Sequence, residues 1–236
     1  MRRSPRRTGN LMTYAVANIH GSLGLWKQLQ KTINFSGRDA MFVLGDIIDI
    51  GPDGLEILEE MSYAQNIWPV AGEHEIAARK LLGRFSELLE SGETPDEKFR
   101  ADMREWMENG GAPTFEAFRK LDPDMREGLL EYLNDMPLFE ELSIGGRQFL
   151  LVHSGITGYD PADAFDAYEE EEFFGEDPVR RIPGFTVVFG HDPTTVTYSC
   201  DGRIARGDGF VDIDCGAGRG GRLAAYRLED GAEFYV

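Results

Sequence analysis

Three short apolar runs dominate the first third of the chain: YAVAN (14–18), AMFVLGD (40–46) and NIWPVAG (66–72). Each closes on Gly, Asp or Asn, which marks it as a buried strand that runs into a polar loop. Between them, 22–33 and 53–63 read as helices. This β-α-β-α-β alternation predicts a layered sheet covered by helices. Residues 75–136 change character and become rich in Glu, Leu, Arg and Met, with helical spacing in IAARKLLGRFSELLE and MREGLLEYLNDM. The breakers SGETPD and GGAP divide the segment into four helices, a predicted insertion or cap over one sheet edge. The second half is strand-rich. FEELSI-GG-RQFLLV reads as a hairpin, followed by FTVVFGHDPT, TVTYS, GFVDIDCGAG and RLAAYRLEDGAEFYV. The glycines between these short strands predict mostly antiparallel pairing. The fold class is therefore α/β, two stacked sheets in one domain over 12–236.

Composition narrows the function classes. The 236 residues are 42% apolar and 11% aromatic, enough for a sizeable core. The net charge of −18 argues against a nucleic-acid partner and against an anionic membrane. The one basic stretch, RRSPRR, lies in residues 1–11, a predicted disordered arm; Met12 stands just before the first strand and could be the true start. No apolar run reaches the ~20 residues of a membrane span. Two cysteines, Cys200 and Cys215, lack disulfide or metal spacing and fit a reducing cytoplasm. The run EEEE (169–172) reads as a solvated face.

The chemistry lies at the strand ends, where open α/β sheets place their ligands. All 4 histidines fall in such segments: NIHG (18–21), GEHE (72–75), LVHSG (151–155) and FGHDPT (189–194), with GDIIDIGPDG (45–54) supplying carboxylates. Imidazoles and carboxylates grouped this way suit Mn, Fe or Zn and metal-assisted hydrolysis. Two such ions stand ~3.5–4 Å apart and need a bridging carboxylate, for which Asp46 is the natural choice.

These motifs, in this order from about residue 13 to 229, resemble the calcineurin-like metallophosphoesterases of the phosphoprotein phosphatase type. Within that type the likeness is to small bacterial serine/threonine phosphatases related to bacteriophage lambda phosphatase, and to diadenosine tetraphosphate hydrolases. The family pattern is D-x-H-G, G-D-x-V-D-R-G-P-D-S, G-N-H-E, H-A-G and G-H-T-P-T. The resemblance implies two stacked mixed β-sheets flanked by helices. It implies one or two divalent ions per chain, Mn or else Fe or Zn. It assigns Asn18, His20 and Asp46 to the first ion, and Asp46, Glu73, His153 and His191 to the second. It makes His74 the general acid, oriented by Asp49, acting on a phosphorylated protein or a small phosphoester.

The chain departs from the pattern at four places. Asn18 replaces a metal-binding Asp, Glu73 a metal-binding Asn, and Ile50 a phosphate-gripping Arg; Glu176, in EFFGEDP, stands near a second such Arg. The first two changes offset each other in ligand charge, and predict a weakened first site beside a strengthened second. The arginine losses are not offset, although Arg219 or Arg222 in GAGRGGR could substitute. Three readings follow: a phosphoesterase with altered metals or substrate, a pseudophosphatase that binds a phosphorylated partner without turnover, and a dinucleoside polyphosphate hydrolase.

Overall fold

The computed structural model describes residues 12–198 and 200–236; the basic arm at 1–11 lies outside the described residues. The first unit runs β1 (Thr13–Val16), α1 (Leu23–Thr32), β2 (Ala40–Leu44), α2 (Gly54–Tyr63) and β3 (Ile67–Val70). Four helices follow: α3 (Glu73–Ser91), α4 (Glu97–Trp106), α5 (Ala112–Phe118) and α6 (Pro123–Asn134), with a kink at Met107–Gly111 between α4 and α5. The rest contains β4 (Phe139–Ile144), β5 (Arg147–Val152), β6 (Ile156–Thr157), β7 (Pro178–Val179), β8 (Phe185–Phe189), α7 (Thr194–Thr197), β9 (Ala205–Gly207), β10 (Phe210–Asp212), β11 (Ala224–Arg227) and β12 (Glu233–Tyr235).

Ten of these strands form two five-stranded mixed sheets, in the orders β12-β11-β1-β2-β3 and β4-β5-β8-β10-β9. Strands β1, β2 and β3 run parallel, in the register Val16↔Val43 and Leu44↔Val70. Each strand is buried on both faces, so its apolar run is nearly continuous and its alternation only sorts side chains between two cores. Ala15, Phe42 and Leu44 meet Phe149, Leu151 and Val188 between the sheets. Tyr14, Val16, Met41 and Val43 face the opposite way, into a core shared with helical residues such as Trp26, Leu29, Leu58 and Phe118. Leu150, Val152, Val187 and Phe189 form a third cluster with Phe165, Phe173 and Ile182. Pro69 sits within β3 because that strand is a sheet edge, where a missing N–H costs no ladder bond.

Helix ends follow local chemistry. Asp96 and Asp122 cap α4 and α6 by accepting from Phe99 N–H and Met125 N–H. Gly92, at φ 69°, closes α3. The hairpin of β4 and β5 turns at Gly145 and Gly146, at φ 59° and 81°, as a two-residue loop requires.

The later strands do pair mostly antiparallel, β4 with β5, β6 with β7, β9 with β10 and β11 with β12, while β5, β8 and β10 run parallel through long crossovers. Two expectations change. The described part of TVTYS is not a strand: its first three residues end the short helix α7, and Val196 is 69% exposed. Glu170 of the EEEE run is not simply solvated, because it pairs with Arg79 and, at 2.7 Å, with Lys80 of α3.

Candidate active site

Six residues hold a left-handed backbone in the loops that follow the parallel strands: Asn18, His20, Asp46, Asp49, Ile50 and His191, at φ between 47° and 80°. Such conformations cost a non-glycine residue roughly 1–3 kcal/mol. The loops brace one another. Asn18 N–H donates to Gly45 O at 3.1 Å, His20 N–H to Asp46 O at 2.9 Å and Gly21 N–H to Ile47 O at 2.7 Å. Gly45 is required by space as well as by its φ of 76°: a Cβ there would lie 2.5 Å from His153 Nδ1. Beneath the loops, the fully buried Glu75 accepts from Gly72, Asp46, Ile47 and Ile48 N–H at 2.8–3.2 Å. That carboxylate therefore fixes the turn that carries Asp46. Sequence reasoning gave Glu75 no role, although it closes the GEHE segment.

Glu73, His153 and His191 come together at one point. Glu73 Oε2 lies 2.7 Å from His153 Nε2 and 2.9 Å from His191 Nδ1, and the two ring nitrogens are 3.3 Å apart. Donors held about 2.1 Å from one ion at right angles stand about 3.0 Å apart, so this triad has the spacing of ligands to a single cation. Asp46 Oδ1 is 3.5 Å from His153 Nε2 and supplies a fourth donor on the same side. His153 Nδ1–H donates to Leu44 O at 2.8 Å, which aims Nε2 into the site. Burial opposes a charge on His153, but Asp46 and Glu73 raise its pKa to about 10, and the same imidazoles hold Glu73 well below the usual carboxylate range. The triad therefore fits a divalent ion, which would replace a proton.

The other side fits an ion less well. Asn18 Oδ1 accepts from His191 N–H at 3.0 Å, so its amide nitrogen points at Asp46 Oδ2, to which it donates at 3.2 Å. The amide already occupies the oxygen that an ion between Asn18 and Asp46 would need. His20 keeps a donor atom on this side: Nδ1–H bonds Ile48 O at 3.3 Å, and Nε2 lies 3.6 Å from Asp46 Oδ2. Burial and the neighbouring His74 lower its pKa to about 4, which leaves it neutral at pH 7. His20, Asp46 and His74 form a second group of donors within 4.8 Å of one another.

His74 is tied down separately. Its Nδ1–H donates to Asp49 Oδ2 at 2.7 Å. Burial opposes its charge, but the bond to Asp49 and the charge of Asp46 raise its pKa to about 9. The fully buried Asp49 also accepts from Trp106 Nε1–H at 2.8 Å and from Thr114 Oγ1–H at 2.5 Å. Trp106 and Thr114 belong to α4 and α5, and neither was singled out from the sequence.

A sequence model of the calcineurin-like phosphoesterase family matches residues 13–213. The chain belongs to that family. A symmetrical bis(5'-nucleosyl)-tetraphosphatase from Acidovorax sp. (strain JS42) is 29% identical over 160 residues, which is 67% of this phosphoesterase and 49% of that protein. The chain thus spans about half the length of the curated relatives it matches. Among solved structures, a candidate diadenosine tetraphosphatase superposes with a TM-score of 0.65 at 20% identity, covering 99% of this chain and 95% of that one. A cold-active protein-tyrosine phosphatase from a psychrophilic Shewanella superposes at 0.53 with 13% identity, covering 96% and 78%. At those identities the superpositions establish the fold alone.

Ile50 is 43% exposed, and its N–H donates to Gly110 O at 2.8 Å, so it docks on the kink between α4 and α5. Glu176 is exposed. Arg219 is exposed at the end of a short turn whose Gly218 packs on His20: a Cβ at Gly218 would lie 2.4 Å from that ring. Arg219 lines a cleft of 450 Å³ with Thr195, Asp201 and Arg222. Arg180, which sequence reasoning passed over, sits beside both histidine loops. Its Nε–H donates to Ser154 O at 2.9 Å, and its Nη2 lies 3.9 Å from Asp192. No local signal marks Arg180, 27 residues beyond His153 in the chain. Among the described residues no helix is long and apolar enough to cross a membrane.

Proposed function

We propose that this phosphoesterase hydrolyses small phosphoric esters and anhydrides of the nucleotide kind, dinucleoside polyphosphates foremost, with a divalent ion bound by Glu73, His153 and His191 with Asp46. The observation that carries the reading is the Asp49–His74 pair, which lies directly beside that donor triad. What supports a nucleotide substrate over a phosphoprotein is the name of the curated relatives, which act on bis-nucleosyl tetraphosphates.

A divalent ion in the triad would polarise the phosphoryl oxygens and make water a competent nucleophile at neutral pH. The chain's own groups do the rest. His74 gives Nδ1–H to Asp49, so Nε2 is the atom that carries the transferable proton. With its pKa raised to about 9, His74 is protonated at pH 7 and serves as the acid for the leaving oxygen. Arg180 places a positive charge beside the His153 and His191 loops.

The test is to incubate the manganese-loaded protein with diadenosine tetraphosphate, an aryl phosphate and a phosphoserine peptide, and to separate the products. Nucleotide release, lowered about 10²-fold by His74→Asn, is expected. Manganese bound in the triad with no hydrolysis of any of the three would establish the binding-only reading instead.

A further inference from the structure

The phosphoesterase reading leaves open where the departing half of the substrate goes. A cleft of 490 Å³ lies between α3 and α4 and opens on His74. Ala77 and Leu81, one turn apart on α3, face Trp106 of α4 across it, and Glu105 and Asn109 complete its polar rim. Glu73 lines the cleft and also belongs to the donor triad, so the triad and the cleft meet at the Glu73–His74 step. We infer that this cleft is the leaving-group subsite, that it takes an uncharged ring bearing hydrogen-bond donors, and that Trp106 serves it twice, holding Asp49 with its N–H and walling the cleft with its ring. The inference rests on the hydrolytic reading above and specifies the substrate within it.

The step fixes the geometry. Water oxygen bonds to phosphorus, the bond from phosphorus to the leaving oxygen breaks, and that oxygen departs with the proton of His74, which the water's own proton replaces. Whatever is attached to the leaving oxygen must therefore lie on the His74 side, away from the triad. The lining chemistry selects its class. No lysine or arginine lines the cleft, and Asp102 is already paired with Lys98 at 2.5 Å. Glu105 is exposed and has no ion-pair partner among the described residues, so it is available to accept from a ring N–H. A wall of Ala77, Leu81 and the Trp106 ring with an acceptor at its mouth suits a base-like ring at the far end of the departing nucleotide.

The support for Trp106 is built into the backbone. The kink between α4 and α5 carries Gly110 at φ 110° and brings Gly111 flat against the indole, where a Cβ would lie 2.2 Å from Trp106 Cε2. Thr114, just beyond, accepts from Asp49 N–H at 3.1 Å while donating to Asp49 Oδ1. Asp49 is thus gripped by α3, α4 and α5 at once. Trp106 and Thr114 are positioning residues that act on His74 through Asp49.

Trp106→Phe keeps the wall and removes the N–H. With the manganese-loaded protein, turnover of phenyl phosphate should fall about tenfold or more, because phenol is a poor leaving group that needs the proton. Turnover of p-nitrophenyl phosphate should change less than about twofold, and inhibition by inorganic phosphate should not change. Trp106→Leu should in addition raise KM for phenyl phosphate. Thr114→Val should repeat the kcat pattern, and Thr114→Ser should recover it, which keeps the question decidable if a Trp106 variant does not fold. Equal losses on the two aryl esters, or weaker phosphate inhibition, would overturn the inference while leaving the hydrolytic reading intact. A wild-type protein inactive on every ester would overturn that reading first, and the subsite with it.

Discussion

Asn18→Asp should convert a centre that holds one ion tightly into one that holds two, at a cost to the metal-free protein. In the wild type the Asn18 amide donates to Asp46 Oδ2 at 3.2 Å, and both groups are buried. It neutralises part of the Asp46 charge where an ion would otherwise do so. Replacing the amide with a carboxylate removes a hydrogen bond to a charged group, about 1.5–3 kcal/mol. It also sets two carboxylates in contact, which raises the cost further unless one takes up a proton. Taking about 2 kcal/mol as the lower part of that range, and about 2–4 °C per kcal/mol for a chain of this size, the metal-free variant should melt about 4–8 °C below wild type. Manganese should reverse the order, because the new oxygen offers a second ion a full charge.

Three measurements read this out without any turnover assay: metal content after gel filtration, calorimetric titration with manganese, and melting with and without chelator. The expected result is one tight ion in wild type, two in Asn18→Asp, and a larger metal-induced stabilisation in the variant. Two equal, tight ions in wild type would refute the argument, since the amide would then not be blocking Asp46. So would an Asn18→Asp variant that gains no ion and loses no stability.

Two further outcomes follow from the same geometry. Burial opposes but Asp46 and Glu73 raise His153 to about 10, so an ion must displace its proton; manganese affinity should rise with pH between 6 and 9, with about one proton released per ion by calorimetry in buffers of different ionisation heat, and a flat profile would contradict it. Glu75→Ala strips the acceptor from four buried N–H groups; at about 1–3 kcal/mol for each unsatisfied group it should unfold the protein or cost more than about 4 kcal/mol in denaturant melts, and a loss under about 1 kcal/mol would show that water takes over the role.

The sequence was legible where function and local structure share the same few residues. His20, Asp46, Glu73, His153 and His191 stand in short motifs at strand ends, so locating the strands located the donors. The parallel order of β1, β2 and β3 follows from helices of the right length between them. Legibility failed where a partner came from far along the chain. Trp106 and Thr114 reach Asp49 from 57 and 65 residues away, and nothing within α4 or α5 reports that their polar atoms face a buried carboxylate. Glu170 finds Arg79 across 91 residues, which a charge run cannot announce. The parallel run of β5, β8 and β10 within an otherwise antiparallel second half is hidden for the same reason: sequence spacing does not distinguish their crossovers from loops.

The departures in this chain also share a physical pattern. They change side chains at positions whose backbone is demanding. Asn18 and Ile50 both hold left-handed conformations, at φ 54° and 62°, although a β-branched residue tolerates that region poorly. Such strain persists only where the surroundings over-determine it. Here the buried strands fix both ends of each loop, Glu75 holds the turn after β2, and Gly110 O receives Ile50 N–H. A loop imposed by its neighbours in this way can exchange a carboxylate for an amide, or a guanidinium for an alkyl group, without losing its path. The scaffold therefore presents whatever groups those positions carry. In this chain the result is an asymmetric centre, with a full donor triad on one side of Asp46 and an amide hydrogen bond on the other.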